Sequence, residues 1–232
     1  MTDATRILSL RTSVLLLFFI VLVPMLPVLI SRRWGWWEAW VYAAVGILGF
    51  AGSRLLAARR NPGVIRERAR FLDHENTEPW DKVLAPLVGL GGLLIPLVAG
   101  LDALHGWSPA LPLAVRLIAL FVMLFGYWLA VYAFLANRFF SGIVRIQTER
   151  DHQVVSSGPY RWLRHPGYTG SLVAYFATPL LLATLWAFIP VLLLALVLAL
   201  RTALEDRTLQ QRLAGYEEYA ARVRYRLVPG IW

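Results

Sequence analysis

Apolar positions in this chain run in long unbroken blocks separated by short basic loops, with none of the strict alternation that marks a strand. Residues 12–30 carry no charge, 36–53 hold only Glu38 near their start, 83–101 carry none, and 109–136 hold only Arg116. Each block is long enough, at about 1.5 Å per residue, to cross a hydrocarbon core of about 30 Å. The pattern therefore predicts four spanning helices. Gly167–Leu200 then gives 34 uncharged residues. One straight helix of that length, roughly 50 Å, overshoots a membrane. Two helices of about 16 residues, reversing near Ala183–Pro190, fit its thickness. The chain is thus expected to be all-α and polytopic, with about five to six spans. It forms one domain, in which 1–136 supply the amino-terminal spans and 137–232 a loop, a helical hairpin and a tail.

Composition agrees with this class: 58% of the 232 residues are hydrophobic, which leaves no room for a large soluble domain. Arg6 and Arg11 precede the first block as in a signal peptide. The block is too long for one, and Ile30-Ser31-Arg32 offers no small-residue cleavage site, so it reads as a retained anchor. Cysteine is absent, which excludes disulfides, thiolate metal ligands and a covalent cysteine mechanism. The formal charge of +9 invites a nucleic-acid reading, but the basic residues decide otherwise by their placement. Nineteen of the 23 fall before the first span or in residues 58–82, 137–167 and 201–232, which share one face if the amino terminus is inside. The expectation is a multi-pass protein of a bacterial-type inner membrane, with membrane lipids as neighbours and no nucleic-acid partner.

Several local features have bland readings. Pro24 and Pro27 are expected to kink the first span, and Trp34, Trp36, Trp37 and Trp40 form an aromatic belt. Arg116 is expected to snorkel. Gly46, Gly49, Gly52 and Ser53 predict close helix packing on the second span, and Gly89, Gly91 and Gly92 before Pro96 predict an irregular third span. Arg59–Phe71 reads as a turn at Asn61-Pro62-Gly63 followed by a short basic interfacial helix. Arg138, Arg145, Arg161, Arg207, Arg212 and Arg226, taken singly, read as interfacial anchors. His74, His105 and His152 lack metal-ligand spacing, so no metal site is expected.

The segment Gly158–Gly170, GPYRWLRHPGYTG, stands apart. The hairpin brings its Arg164, His165 and Tyr168 opposite Glu205 and Asp206 at one membrane interface. Polar groups gathered at that depth are costly and mark a functional site. The segment resembles the signature of the isoprenylcysteine carboxyl methyltransferase and phospholipid methyltransferase group of membrane enzymes. That signature is RHP, any residue, Tyr, any residue, Gly, then an acidic pair one hairpin later. Here these are Arg164, His165, Pro166, Tyr168 and Gly170, then Glu205 and Asp206, where the family usually has a second Glu. The ending GYEEYAARVRYRLVPGIW resembles the family's too, with Tyr216, Tyr219, Arg222 and Pro229 in order.

The resemblance implies S-adenosyl-L-methionine as cofactor and a lipophilic or prenylated acceptor. It implies cofactor contacts from Gly158, Pro159, Tyr160, Arg164, His165, Pro166, Tyr168, Gly170, Glu205 and Asp206, substrate contacts from Tyr219 and Arg222, and catalytic roles for Glu205 and Arg222. The chemistry is reasonable beside it. Glu205 can accept from the cofactor's ammonium, His165 or Arg164 can meet its carboxylate, and Tyr160 and Tyr168 offer aromatic faces to adenine or sulfonium. No GxGxxG fingerprint is present. A carboxylate acceptor needs no base, only an orienting cation, for which Arg222 is the candidate; an amine acceptor would need His165 or Glu205 as base. Two other classes stay open: an NADPH-dependent membrane sterol or enone reductase, with a similar hairpin, and a non-enzymatic membrane scaffold.

Overall fold

A computed structural model describes residues 10–69 and 76–232 of the chain. Arg6, Phe71 and His74 lie outside the described residues. Among the described residues the only regular elements are helical: α1 (Leu10–Ser31), α2 (Trp37–Arg60), α3 (Pro62–Ala69), α4 (Asp81–His105), α5 (Leu113–Ala136), α6 (Pro166–Leu182), α7 (Phe188–Arg212) and α8 (Tyr216–Arg222). Four stretches are long and apolar enough to cross a membrane: α2, α4, α5 and Leu185–Arg212. The apolar part Phe19–Ser31 of α1 and the 17-residue α6 are shorter. The protein is a multi-pass helical membrane protein.

The hairpin forms. α6 ends at Leu182, Ala183 takes a left-handed conformation with φ 51°, and the Thr184 N–H donates to the Pro179 carbonyl at 2.9 Å. A short 3-10 turn, Leu185–Ala187, then starts α7. Buried Asp102 near the end of α4 pins this reversal, accepting from Ser108 N–H at 2.9 Å, Ser108 Oγ at 2.6 Å and Trp186 N–H at 3.1 Å. The two arms are unequal: α7 is 25 residues and continues through Arg201 to Arg212, because Asp81 neutralises Arg201.

The most extensive helix contact joins α5 to α6. It depends on Gly126 and Gly170: a Cβ on Gly126 would lie 2.6 Å from the backbone of Ala174 and Gly170, and one on Gly170 would lie 2.5 Å from that of Ala130 and Gly126. Such an approach of two helix backbones admits no side chain at either position. On the other side, α4 packs between α1 and α7, with Gly100 against Ile30 and Gly91 against Leu194.

Three sequence expectations need correction here. The third span is a continuous helix through Pro86 and Pro96, not an irregular one, because its small residues fit the flanks of α1 and α7. In α2, Gly46 packs against Pro24 and Ser53 is buried, but a Cβ at Gly49 or Gly52 would meet nothing. Arg116 does not simply snorkel; its Nη1 donates to buried Glu38, tying the start of α5 to the start of α2.

Candidate active site

At the end of the bundle opposite the reversal, the start of α6, the end of α7, α8 and the loop 137–157 enclose a cavity. Pro166 opens α6 at its first turn, where the missing N–H costs nothing, so His165 and Arg164 sit just outside the helix. The preceding turn Gly158–Arg161 requires Gly158 at φ 57°, and Pro159 is buried within it. The tail holds this segment through its backbone: Arg164 N–H donates to the Tyr225 carbonyl and His165 N–H to that of Arg226, both at 3.0 Å. Thr169 Oγ1 adds a bond to the Leu227 carbonyl at 2.8 Å.

Glu205 reaches the cavity, and the Tyr168 hydroxyl donates to its Oε2 at 2.7 Å. The rings of Tyr168 and His165 stack at 5.8 Å, and Arg201 lies 5.5 Å from the Tyr168 ring centre. Arg201 is itself held by Asp81, with Nε–Oδ1 2.7 Å and Nη2–Oδ2 2.9 Å, while Val144 N–H donates to Asp81 Oδ2 at 2.6 Å. One charge pair thus fixes the middle of α7, the start of α4 and the loop that walls the cavity.

Asp206 behaves differently from its neighbour. It is 0% exposed and accepts from Arg164 Nη1, Arg226 Nε, Gln210 Nε2 and the Tyr216 hydroxyl, all within 3.0 Å. His165 Nε2 is 3.5 Å from Asp206 Oδ1, too far for a well-formed bond, and has no other partner. His165 therefore presents a buried ring nitrogen without a hydrogen bond at the lining of the cavity.

The structure divides the predicted residues. Tyr160, Arg164, His165, Tyr168, Glu205 and Tyr219 line the cavity. Gly158, Pro159 and Pro166 shape its walls from behind and do not line it. Gly170 packs against α5, where a Cβ would meet the backbone of Ala130 and Gly126, and it does not line the cavity. Asp206 does not line the cavity, and both of its oxygens accept from protein donors. Arg222 does not reach the cavity; it lies exposed on α8 and forms no ion pair among the described residues. The Tyr219 hydroxyl is spent on the backbone, donating to the Tyr160 carbonyl at 2.8 Å, so only its ring can meet a ligand. Burial raises the hydroxyls of Tyr160, Tyr216 and Tyr219 above the ordinary tyrosine value and keeps them neutral.

Other residues were missed. The loop supplies Phe139, Phe140, Ile143, Arg145 and His152 to the lining. Arg145 is no surface anchor: it is 4% exposed and paired with Glu67 at 2.9 Å and Glu149 at 2.6 Å. Its loop lacks helical periodicity, so no signal in the sequence placed it inside. His152 sits beside Arg145 and Arg150, and burial first and these cations second lower its ring to about 4. A second, apolar cavity of about 490 Å3 lies between α5 and α6, lined by Ile118, Val122, Thr169, Phe176, Leu227 and Val228 among others.

Comparison with known proteins reaches the same part of the chain. Residues 117–211 match the isoprenylcysteine carboxyl methyltransferase (ICMT) family. Two rice proteins, each a probable protein-S-isoprenylcysteine O-methyltransferase, from Oryza sativa subsp. indica and subsp. japonica, are 35% identical over 95 residues. That alignment covers 38% of this chain and 47% of each rice protein, so the chain spans about half the length of the curated relatives it matches. The matched residues run from α5 through the motif and the hairpin to the end of α7, so the similarity falls on the segment that builds the cavity.

Proposed function

We propose that this protein is a membrane methyltransferase that moves a methyl group from S-adenosyl-L-methionine to a lipophilic acceptor, the carboxylate of an isoprenylcysteine-like molecule. The observation that carries this reading is Glu205, oriented by Tyr168 in a cavity that also presents the unpartnered Nε2 of His165. The donor set fits the cofactor: a carboxylate for its ammonium, a ring N–H or Arg164 for its carboxylate, and the faces of Tyr160 and Tyr219 for its adenine or sulfonium. The cavity encloses about 110 Å3 and is walled by the 137–157 loop, the start of α6, the end of α7 and α8.

The cofactor supplies a methyl group on a positively charged sulfur. Held by Glu205 and by His165 or Arg164, it would supply that methyl to an acceptor carboxylate oxygen, which is already ionised, so the transfer would release no proton. The protein therefore needs no general base. Its work is alignment and exclusion of water, which Phe139, Phe140, Ile143 and Leu209 serve at the lining. The apolar cavity beside Thr169 gives a lipophilic acceptor a place next to the motif. The basic loops flank the site, which supports placing it on the cytoplasmic face of an inner membrane.

The test is transfer of labelled methyl from S-adenosylmethionine into membrane extract, followed by mild base. Volatile label released by base supports a methyl ester. S-adenosylhomocysteine should bind the purified protein, and Glu205→Ala should weaken that binding by about 1.5–3 kcal/mol. Absence of binding together with thermal stabilisation by NADPH would replace this reading with a reductase.

A further inference from the structure

The reading above needs a cation for the acceptor, and Arg222 is not at the cavity. Two other arginines near it have no ion-pair partner among the described residues. Arg54, late in α2, places its guanidinium carbon 4.5 Å from the ring centres of both Phe50 and Phe134. Arg68, in α3, lies 5.9 Å from Phe134 and 5.7 Å from Phe140. The two guanidinium groups thus share one buried aromatic ring, Phe134, and neither has a carboxylate within ion-pairing distance among the described residues.

Everywhere else at this end of the bundle buried arginine is matched by acid: Arg145 by Glu67, Arg164 by Asp206, Arg201 by Asp81. Arg54 and Arg68 instead repel one another. Burial first, and then Arg201, lower the guanidinium of Arg68 below its ordinary value, with Tyr168 acting in the opposite sense. A like-charged pair, each member only partly exposed and both over one apolar ring, favours an anion between them. Its position is also specific. Phe140, edge-on to Phe134 at 5.4 Å, is part of the active-site lining and packs against Gly167 of the motif.

We propose that Arg54 and Arg68 form the subsite for the acceptor's anionic group, with Arg68, the nearer to Phe140, making the direct contact. This rests on the methyltransferase reading and assigns to α2 and α3 a substrate role that the matched residues 117–211 do not contain. A planar guanidinium suits a carboxylate by its paired donors.

The experiment uses the full-length protein in neutral phosphatidylcholine vesicles, with an N-acyl S-prenylcysteine as acceptor and its carboxamide as competitor. In the wild type the carboxylate should bind at least about tenfold more tightly than the carboxamide, the scale of a charge-assisted hydrogen bond. Arg68→Gln should raise KM for the carboxylate by a similar factor, erase the preference over the carboxamide, and keep S-adenosylhomocysteine affinity within about twofold. Arg68→Lys should restore part of the preference. An unchanged preference in Arg68→Gln overturns the proposal. If activity instead depends on added anionic phosphatidylglycerol through Arg68 while the preference stays constant, the pair holds a lipid headgroup and the proposal also fails. Bound S-adenosylhomocysteine without transfer to any carboxylate would refute the acceptor reading itself, a separate result.

Discussion

Nη1 of Arg164 lies 2.9 and 2.7 Å from the two oxygens of Asp206, at 0% exposure of the acid, while Nη2 donates to the Arg224 carbonyl at 2.9 Å. One charge pair therefore joins the motif segment, α7 and the tail. Glu205, one residue earlier, points into the cavity instead.

Adjacent acids with such different surroundings should respond differently to substitution. Asp206→Ala leaves Arg164 and Arg226 without their shared carboxylate and should destabilise the fold by about 3–5 kcal/mol. Glu205→Gln should leave unfolding nearly unchanged while weakening S-adenosylhomocysteine. Thermal unfolding and calorimetry on both variants check the split; comparable loss of stability in the two would show that Glu205 too is a structural anchor.

Gly170 and Gly126 face each other where α5 and α6 cross. Gly170→Ala puts a methyl 2.5 Å from the α5 backbone and should cost about 1–3 kcal/mol or more, since backbone cannot yield as a flexible side chain does. Gly49→Ala in α2 meets nothing and should be neutral or slightly stabilising. Melting temperatures of the two variants in the same detergent provide the measurement.

His152 gives a pH dependence with a definite sign. Its ring sits at about 4 in the fold against about 6.5 in the open chain, because burial and then Arg145 and Arg150 oppose its charge. As pH falls from 6.5 to 4 the unfolded chain binds a proton that the fold refuses, so stability declines across that window and the loss is complete below it. His152→Gln should flatten this part of the melting profile. Identical slopes in both proteins would locate the acid sensitivity elsewhere.

Arg222 is exposed on α8. Arg222→Ala should therefore keep methyl transfer and cofactor affinity within about twofold of the parent, as for an ordinary surface change. A loss of transfer with cofactor binding intact would bring Arg222 back to the acceptor through a movement of α8.

The sequence by itself determined the class, the spans and the hairpin, because uncharged runs of that length have few places to go and Gly167–Leu200 is too long for one crossing. It also singled out Arg164, His165, Tyr168 and Glu205, since polar residues at both ends of a hairpin meet at one depth. Only the tertiary structure decided what each does. Neighbours in sequence part company by helical rotation: Glu205 meets Tyr168 and the cavity, and Asp206, one position further round α7, meets Arg164 and the tail. The close packing at Gly170 could not be read from its neighbours in sequence, because the partner that fills the space comes from α5, far away in the chain. Arg145 read as an interfacial anchor and Arg68 as part of a basic interfacial helix, alike as cations. Whether an acid stands beside each depends on side chains brought together by packing, as Glu67 is to Arg145, and one-dimensional spacing carries no record of that meeting.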